Sequence, residues 1–355
     1  APTLRPMSSR EPFHDWPTVM STLVAGRDLD AATAGSVMTT ILRGDATTAQ
    51  IGGFLVGLRA KGESVDELAG LLEATLHEAT FVPLTDAERA TCLDIVGTGG
   101  DGSHSINVSM MAALVAAGAG VPICKHGNRS ASSQCGAADV LELLGVAIEL
   151  HGDGVAACVR EAGIGFCVAP MFHPAFRFTG PTRRELGIPT TFNLLGPMAN
   201  PGRVKHQLIG VADPRFAEPM IETLERQGLT DAWVVHGNGM DELTTTGSSR
   251  VLALHGGSIT EFAIDPADYG LAPATADDLR GGAPEENALA VRRVFAGEQG
   301  PHRDIVLLNA GAGLVVAGHA GDVGAGIEMA AASIDEGRAQ ERLDALIRVS
   351  RAHAT

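Results

Sequence analysis

From Leu93 onward the sequence repeats one texture: a short apolar run, a glycine-rich loop, then an alanine-rich helical stretch. The apolar runs are Leu93 to Val96, Val121 to Cys124, Ile164 to Val168, Gln207 to Val211 and Ala232 to Val235. Such alternation predicts a mostly parallel central sheet with helices on its faces, since strands that run the same way need a helix-length crossover between them. The stretch "SSRVLALHGGSITEFAI" alternates apolar and polar residues about Gly256 and Gly257, which predicts a β-hairpin. Residues from Ile327 onward read as helix again.

Before Thr80 the pattern has the period of a helix and no strand. Trp16, Val19 and Leu23, then Val37, Met38, Ile41 and Leu42, then Ile51, Phe54, Leu55 and Leu58 mark three apolar faces. Gly44 and Gly62 stand where helices stop, and Ser64 to Glu67 form a capping box ahead of a fourth helix. The expected fold is therefore α/β: a small helical domain over residues 1–88 and a larger α/β domain over residues 89–179 and 203–355. The proline-rich segment 180–202 carries no strand and is expected to return to the helices.

The 355 residues carry a formal charge of -16. That argues against nucleic acid or an anionic membrane as the main partner, because phosphate-backbone binding rests on Lys and Arg. Five cysteines, odd in number and without a C-x-x-C pair, read as reduced core thiols and give neither a disulfide framework nor a thiolate metal site. No run of about 18 apolar residues exists, and the first residues lack the apolar core of a secretory signal, so a cytoplasmic protein is expected.

The first strand feeds "DIVGTGGDGSHSINVS", in which Gly97, Gly99 and Gly102 fit a G-x-G-x-x-G pattern. A nicotinamide site is disfavoured: no acid follows the second strand, which ends in Lys125 and His126, and Asp101 would repel a bare diphosphate. The Walker pattern is absent as well, leaving a ligand-free turn or another phosphate ligand. The second loop, "KHGNRSASSQCGAADVLELLG", follows a neighbouring strand, so both loops should border one crevice. It offers Lys125 and Arg129 as cations, Asn128, Ser130, Ser132 and Ser133 as neutral donors, and a helix start near Ala137, a combination suited to phosphate. After a later strand, Asp241 and Glu242 stand together in "GNGMDELTTTG"; adjacent carboxylates on a loop suit Mg²⁺, which bridges to substrate phosphates, although most such pairs are solvated turns.

With "GTGGDG" and "INVS", "KHGNRSASS" and "GAADVLELLG", "RRELGIPTTFNLLGPMANP" and "MDELT" in this order, the chain resembles the anthranilate phosphoribosyltransferases. The resemblance runs from the first helices to the last. It implies a helical and an α/β domain joined by hinge segments, homodimerisation through the helices, and transfer of phosphoribosyl from 5-phosphoribosyl 1-pyrophosphate (PRPP) to the amino group of anthranilate, with Mg²⁺. By position it implies that Gly97, Gly100, Asp101, Ser105, Asn107, Ser109, Lys125, His126, Gly127, Asn128, Arg129, Ser132 and Ser133 line the PRPP site. Gly97, Asn128, His126, His173 and Arg183 are implied to border anthranilate, Arg183 facing its carboxylate. Ser109, Asp241 and Glu242 are implied metal ligands, and Lys125, Arg183 and Asn128 the catalytic set. Met110 and Ala137 depart from the family's usual Thr and Ser. A metal-laden ligand would also account for an acid in the glycine loop, since a bound divalent ion inverts the local charge logic.

Two other readings share the scaffold: a pyrimidine nucleoside phosphorylase-like enzyme, and a non-catalytic nucleic-acid-binding relative. The "KHGN" and "NLLGPMANP" wording speaks against the first, the acidic balance and the Asp241–Glu242 pair against the second.

Overall fold

The computed structural model describes residues 13–129 and 135–354. Ser130, Ser132 and Ser133 lie outside the described residues. The chain divides into two compact units, residues 1–78 with 175–191 and residues 79–174 with 192–355.

In the smaller unit α1 (Trp16–Val24), α2 (Ala31–Arg43), α3 (Thr48–Lys61) and α4 (Val65–His77) follow one another in the chain. Their starts are chemically fixed: Asp30 accepts from the Thr33 N–H at 2.7 Å, and Thr47–Gln50 and Ser64–Glu67 make reciprocal capping boxes. Met38, Phe54, Leu55, Leu58, Leu68 and Leu71 are fully buried. Glu67 is buried among them, satisfied by Lys61 Nζ at 2.8 Å and the Leu29 N–H at 2.9 Å.

The larger unit opens with α5 (Asp86–Arg89), β1 (Leu93–Gly97), α6 (Val108–Gly118), β2 (Ile123–Gly127), α7 (Ala137–Leu144), α8 (Gly152–Ala162), β3 (Ile164–Val168) and α9 (Ala169–Phe172). The chain then passes through α10 (Gly180–Leu186) of the smaller unit and α11 (Thr191–Met198). It resumes with β4 (His206–Gly210), α12 (Ala217–Arg226), β5 (Asp231–Gly237), β6 (Ser249–His255) and β7 (Ser258–Ile264). Four helices close it: α13 (Pro284–Phe295), α14 (Pro301–Val316), α15 (Val323–Asp335) and α16 (Arg338–Ala352).

The seven strands run in the order β3-β2-β1-β4-β5-β6-β7. The first five are parallel, and β6 and β7 form the expected hairpin, with His255 opposite Ser258. The winding reverses between β1 and β4, the kind of switch point that opens a crevice at the carboxyl ends of strands. Helix α6 fills the centre: each of its residues except Ser109 is buried, as an apolar helix covered on all sides must be. Met110 is among them, part of the apolar core.

Two expectations need correcting. The second strand begins at Ile123 rather than Val121 and runs on to Gly127, so that Lys125 and His126, which end it in the sequence and open the quoted loop, both lie inside it. Lys125 can lie inside a strand, only 1% exposed, because buried acceptors receive its ammonium. Residues 79–88 and 192–202, grouped above with the helices, belong by contact to the larger unit, and residues 175–179, placed above in the α/β domain, belong to the smaller one. The Thr80 N–H bonds to the Phe172 carbonyl at 2.8 Å, Val82 and Leu84 join the α/β core, and Asn200 bonds to Asp94 of β1 at 2.8 Å.

Candidate active site

At the carboxyl end of β1 the chain turns through Gly97 and Gly99 directly against the turn that carries Asp241. The Gly99 N–H donates to Asp241 Oδ2 at 2.7 Å. The approach is close enough to require glycine: a β-carbon on Gly97 would lie 2.1 Å from Asp241 Oδ2, and one on Gly210, at the end of β4, 1.5 Å from the Asp241 carbonyl oxygen. Two sequence-distant loops are thereby seated on each other above adjacent parallel strands.

Around that seat three acids gather. Asp241 is 8% exposed, and burial together with the neighbouring Asp101 charge raises its pKa to about 7. Burial and the Asp241 charge push Glu242 well above the carboxylate range, against the opposing pull of Lys125 and the Ser109 N–H. Asp101 Oδ1 accepts from the Ser103 N–H at 3.1 Å, whereas its Oδ2 is buried without a hydrogen-bond partner. A cluster whose charges are mutually unfavourable, with an orphaned oxygen, is suited to a cation. The donors are carboxylate oxygens and the Ser109 hydroxyl, the hard-ligand chemistry of Mg²⁺. Among the described residues no group of three Asp, Glu, His or Cys side chains can hold a metal ion unaided. Mg²⁺ bound through one or two carboxylates plus substrate phosphates needs no such cage.

Lys125 enters from β2. Its ammonium donates to Ser109 Oγ at 3.3 Å and to the Ile95 carbonyl, and desolvation lowers its pKa while Asp94 and Glu242 oppose the fall. Lys125, Ser109 and Glu242 thus form one connected group. Behind it lie two residues that the sequence reading passed over. Asp94, fully buried, accepts from the His126 N–H at 3.1 Å and from Asn200 Nδ2 at 2.8 Å; burial raises its pKa to about 6. An acid inside the run "LDIV" was itself a usable signal, because a buried carboxylate must have partners.

Ser103 and Ser105 share a hydroxyl contact at 3.2 Å, and Asn107 precedes α6 without capping it through its side chain, leaving Oδ1 unpartnered. A cleft of about 450 Å³ opens beside this loop, lined by Asp101, Ser103, Ser105, Asn238, Met240 and Thr246 among others. Gly100 is exposed in the loop, and Asn128 is exposed at the end of β2, its Oδ1 accepting from the Arg129 N–H at 2.8 Å. Arg129 forks onto Glu142 at 2.8 Å and Asp139 at 3.0 Å of α7, so its charge is balanced by carboxylates.

His126 and His173 are both buried, ring centres 5.1 Å apart. Burial holds both neutral, His173 at about 4. Their partners are the Gly196 carbonyl for His126 Nδ1 and the Ala199 carbonyl for His173 Nε2, each at 3.0 Å, which assigns the proton to those nitrogens. His126 Nε2 is left as an unpartnered lone pair. Arg183 lies in α10 of the smaller unit, half-buried, its pKa lowered by desolvation.

The glycosyl transferase family a/b domain matches residues 89–340, and the helical bundle domain of the same family matches residues 17–79. Anthranilate phosphoribosyltransferase of Mesorhizobium japonicum is 49% identical, over 94% of this chain and 98% of that protein. The chain belongs to the anthranilate phosphoribosyltransferase family. Another family member, from Chloroflexus aggregans, is 50% identical over the same shares. The crystal structure of the Thermus thermophilus anthranilate phosphoribosyltransferase superposes with a TM-score of 0.87 at 40% identity, covering 94% of this chain and 99% of that one. The Saccharomyces cerevisiae anthranilate phosphoribosyltransferase in complex with PRPP and Mg gives 0.86 at 27% identity, covering 95% and 98%.

Proposed function

We infer that this protein is an anthranilate phosphoribosyltransferase: it transfers the phosphoribosyl group of PRPP to the amino group of anthranilate and releases diphosphate. The observation that carries the reading is the convergence of Lys125, Ser109, Asp241 and Glu242 at one sheet edge, in a chain about half identical to curated enzymes of that activity over nearly their whole length. In the reaction the anomeric C–O bond breaks with its electron pair leaving on diphosphate, the N–C bond forms, and the amine loses one proton. An aniline-type nitrogen is uncharged near neutral pH, so charge on the leaving group and alignment of the nucleophile are the main burdens.

The residues divide between those tasks. Gly97, Gly100, Asp101, Ser105, Asn107, Lys125, His126, Gly127, Asn128 and Arg129 are assigned to PRPP, as are Ser132 and Ser133. Lys125 stabilises the charge that develops on the diphosphate, and its burial strengthens that effect. Arg183 is assigned to the anthranilate carboxylate, with Gly97, Asn128, His126 and His173 bordering the ring. Neither imidazole is charged, so both shape the pocket, and the His126 Nε2 lone pair is an acceptor for an N–H. Ser109, Asp241 and Glu242 would hold Mg²⁺, which neutralises diphosphate when bound.

Two broader assignments accompany this reading. A homodimer through the smaller unit is supported by exposed apolar side chains there, Val24 at 86%, Val56 and Ile188. A cytoplasmic location is supported by free thiols at all five cysteines, with Cys124 and Cys167 adjacent but unlinked. Among the described residues no helix is long and apolar enough to cross a membrane.

The test is loss of anthranilate fluorescence on adding PRPP and Mg²⁺, run beside a phosphorolysis assay with pyrimidine nucleosides. Unchanged fluorescence would reject the transferase, and nucleoside cleavage would install the phosphorylase in its place.

A further inference from the structure

The two loops that make the PRPP and metal seat are each held from behind by an asparagine supplied far along the chain. Asn287 of α13 accepts the Asn107 N–H on Oδ1 at 2.9 Å. Its Nδ2 is anchored by the Gly282 carbonyl at 3.1 Å and the Ala283 carbonyl at 3.3 Å. The loop and this segment are laced at further points: the Ile106 N–H bonds to the Leu279 carbonyl at 2.9 Å, the Gly281 N–H bonds to the His104 carbonyl at 2.8 Å, and Ser105 bridges Arg280. Asn309 of α14 does the same for the acidic turn. It accepts the Leu243 N–H on Oδ1 at 3.1 Å and donates from Nδ2 to the Leu243 carbonyl at 2.7 Å and the Ile305 carbonyl at 2.9 Å. Both asparagines are buried, at 3% and 0% exposure.

An amide side chain suits this task. It offers an acceptor and a donor in one rigid plane: Asn309 closes both backbone polar groups of Leu243 at once, and Asn287 accepts the Asn107 N–H while its amide nitrogen is held by carbonyls at the start of its own helix. Irregular loop backbone that is buried must find such partners or lose stability. Asn287 acts two residues before Ser109, and Asn309 immediately after Glu242; the anchored backbone leaves the neighbouring side chains free to face a ligand. Asn107 shows the consequence directly, its N–H clamped while its own Oδ1 has no partner.

We propose that Asn287 and Asn309 are a matched pair of positioning residues, which preorganise the Ser105–Ser109 loop and the Asp241–Glu242 turn for the magnesium-bound diphosphate sugar without touching it. The proposal rests on the substrate assignment above.

Calorimetric titration of PRPP with Mg²⁺ into the full chain, without anthranilate, reads the effect apart from turnover. Asn287→Ala and Asn309→Ala should each weaken PRPP binding about tenfold, since loop order must then be gained on binding. The KM for anthranilate should stay within about twofold of the parent enzyme. PRPP affinity unchanged in either folded variant overturns the pairing, and so do KM values for both substrates that rise together, which mean general loosening. Amide hydrogen exchange on the unsubstituted protein decides the matter if the variants do not fold. Asn107 and Leu243 amides as slow as those of β1 support the clamps, and amides that exchange as fast as an open loop overturn them. A parent protein that binds PRPP yet leaves anthranilate unconsumed would sink the function proposed above, while the clamps would still stand or fall on binding and exchange.

Discussion

Gly210→Ala is a substitution outside any ligand-binding loop that should nevertheless disable the enzyme. The added β-carbon would sit 1.5 Å from the Asp241 carbonyl oxygen and 2.2 Å from its carbonyl carbon, where ordinary contact begins at 3.4 Å. The obstacle is backbone on both sides, a β-strand below and a clamped turn above, so no side chain can swing away. The turn must retreat by about 1.9 Å, the difference between 3.4 and 1.5, carrying Asp241 and Glu242 with it. A displacement of about 1 Å at a reacting site can cost about a hundredfold in rate, so kcat/KM for PRPP should fall by about that factor. The fold should survive, because overpacking at one position costs about 1–3 kcal/mol, a melting shift of several degrees at most for a unit of this size. Initial rates of anthranilate fluorescence loss, measured against PRPP and Mg²⁺, give the answer. Gly321→Ala serves as the control, as its β-carbon would meet nothing within 4 Å. A folded Gly210→Ala enzyme with kcat/KM within about threefold of the parent would refute the account of how the acid turn is seated.

Arg183→Ala should raise the KM for anthranilate about tenfold or more and that for PRPP far less; equal changes would remove Arg183 from the carboxylate. Replacing Asp241 and Glu242 together with Ala should move the Mg²⁺ titration to higher concentration, and an unshifted midpoint would dissociate that pair from the metal. Asp94 supplies a pH signature. Its folded pKa of about 6 lies above the ordinary 3.8, so the folded state holds its proton longer than the unfolded chain. Its contribution therefore declines as pH rises from about 4 to about 6 and is level above, a loss of about 3 kcal/mol across the window. Denaturant melts of the parent and Asp94→Asn should diverge with that sign, and a parent enzyme that gained relative stability over the same range would contradict it.

The sequence was informative where structure repeats. Strand–helix alternation from Leu93 yields the parallel sheet, Gly256 and Gly257 the hairpin, and Ser64 to Glu67 the start of α4, because each is a local pattern with a local cause. It was less informative where burial overrides composition. Lys125 looks like the end of a strand until the Ile95 carbonyl and Ser109 are seen receiving its ammonium. The limits of the larger unit slipped by about ten residues because residues 79–88 attach through a few hydrogen bonds and two apolar anchors, Val82 and Leu84, rather than through any periodic face. Arg129 reads as a phosphate cation in sequence, and only geometry reveals Glu142 and Asp139 beside it. Asn287 and Asn309 leave no trace at all: an isolated amide that grips backbone 180 or 66 residues away has neither spacing nor period.

That separation has a consequence for biosynthesis. A ribosome that has just emitted "MDELT" has already displayed every loop assigned to the diphosphate sugar, yet α13 and α14 are still to come. Until they emerge, Asn107 and Leu243 have no asparagine to bond, and a fragment ending before residue 309 also lacks core side chains of the last three helices, so it should remain catalytically silent however well its strands pair. Competence would then arrive late, first for the loop after β1 and then for the acidic turn, making the last quarter of the polypeptide the gatekeeper of a pocket to which it lends no ligand.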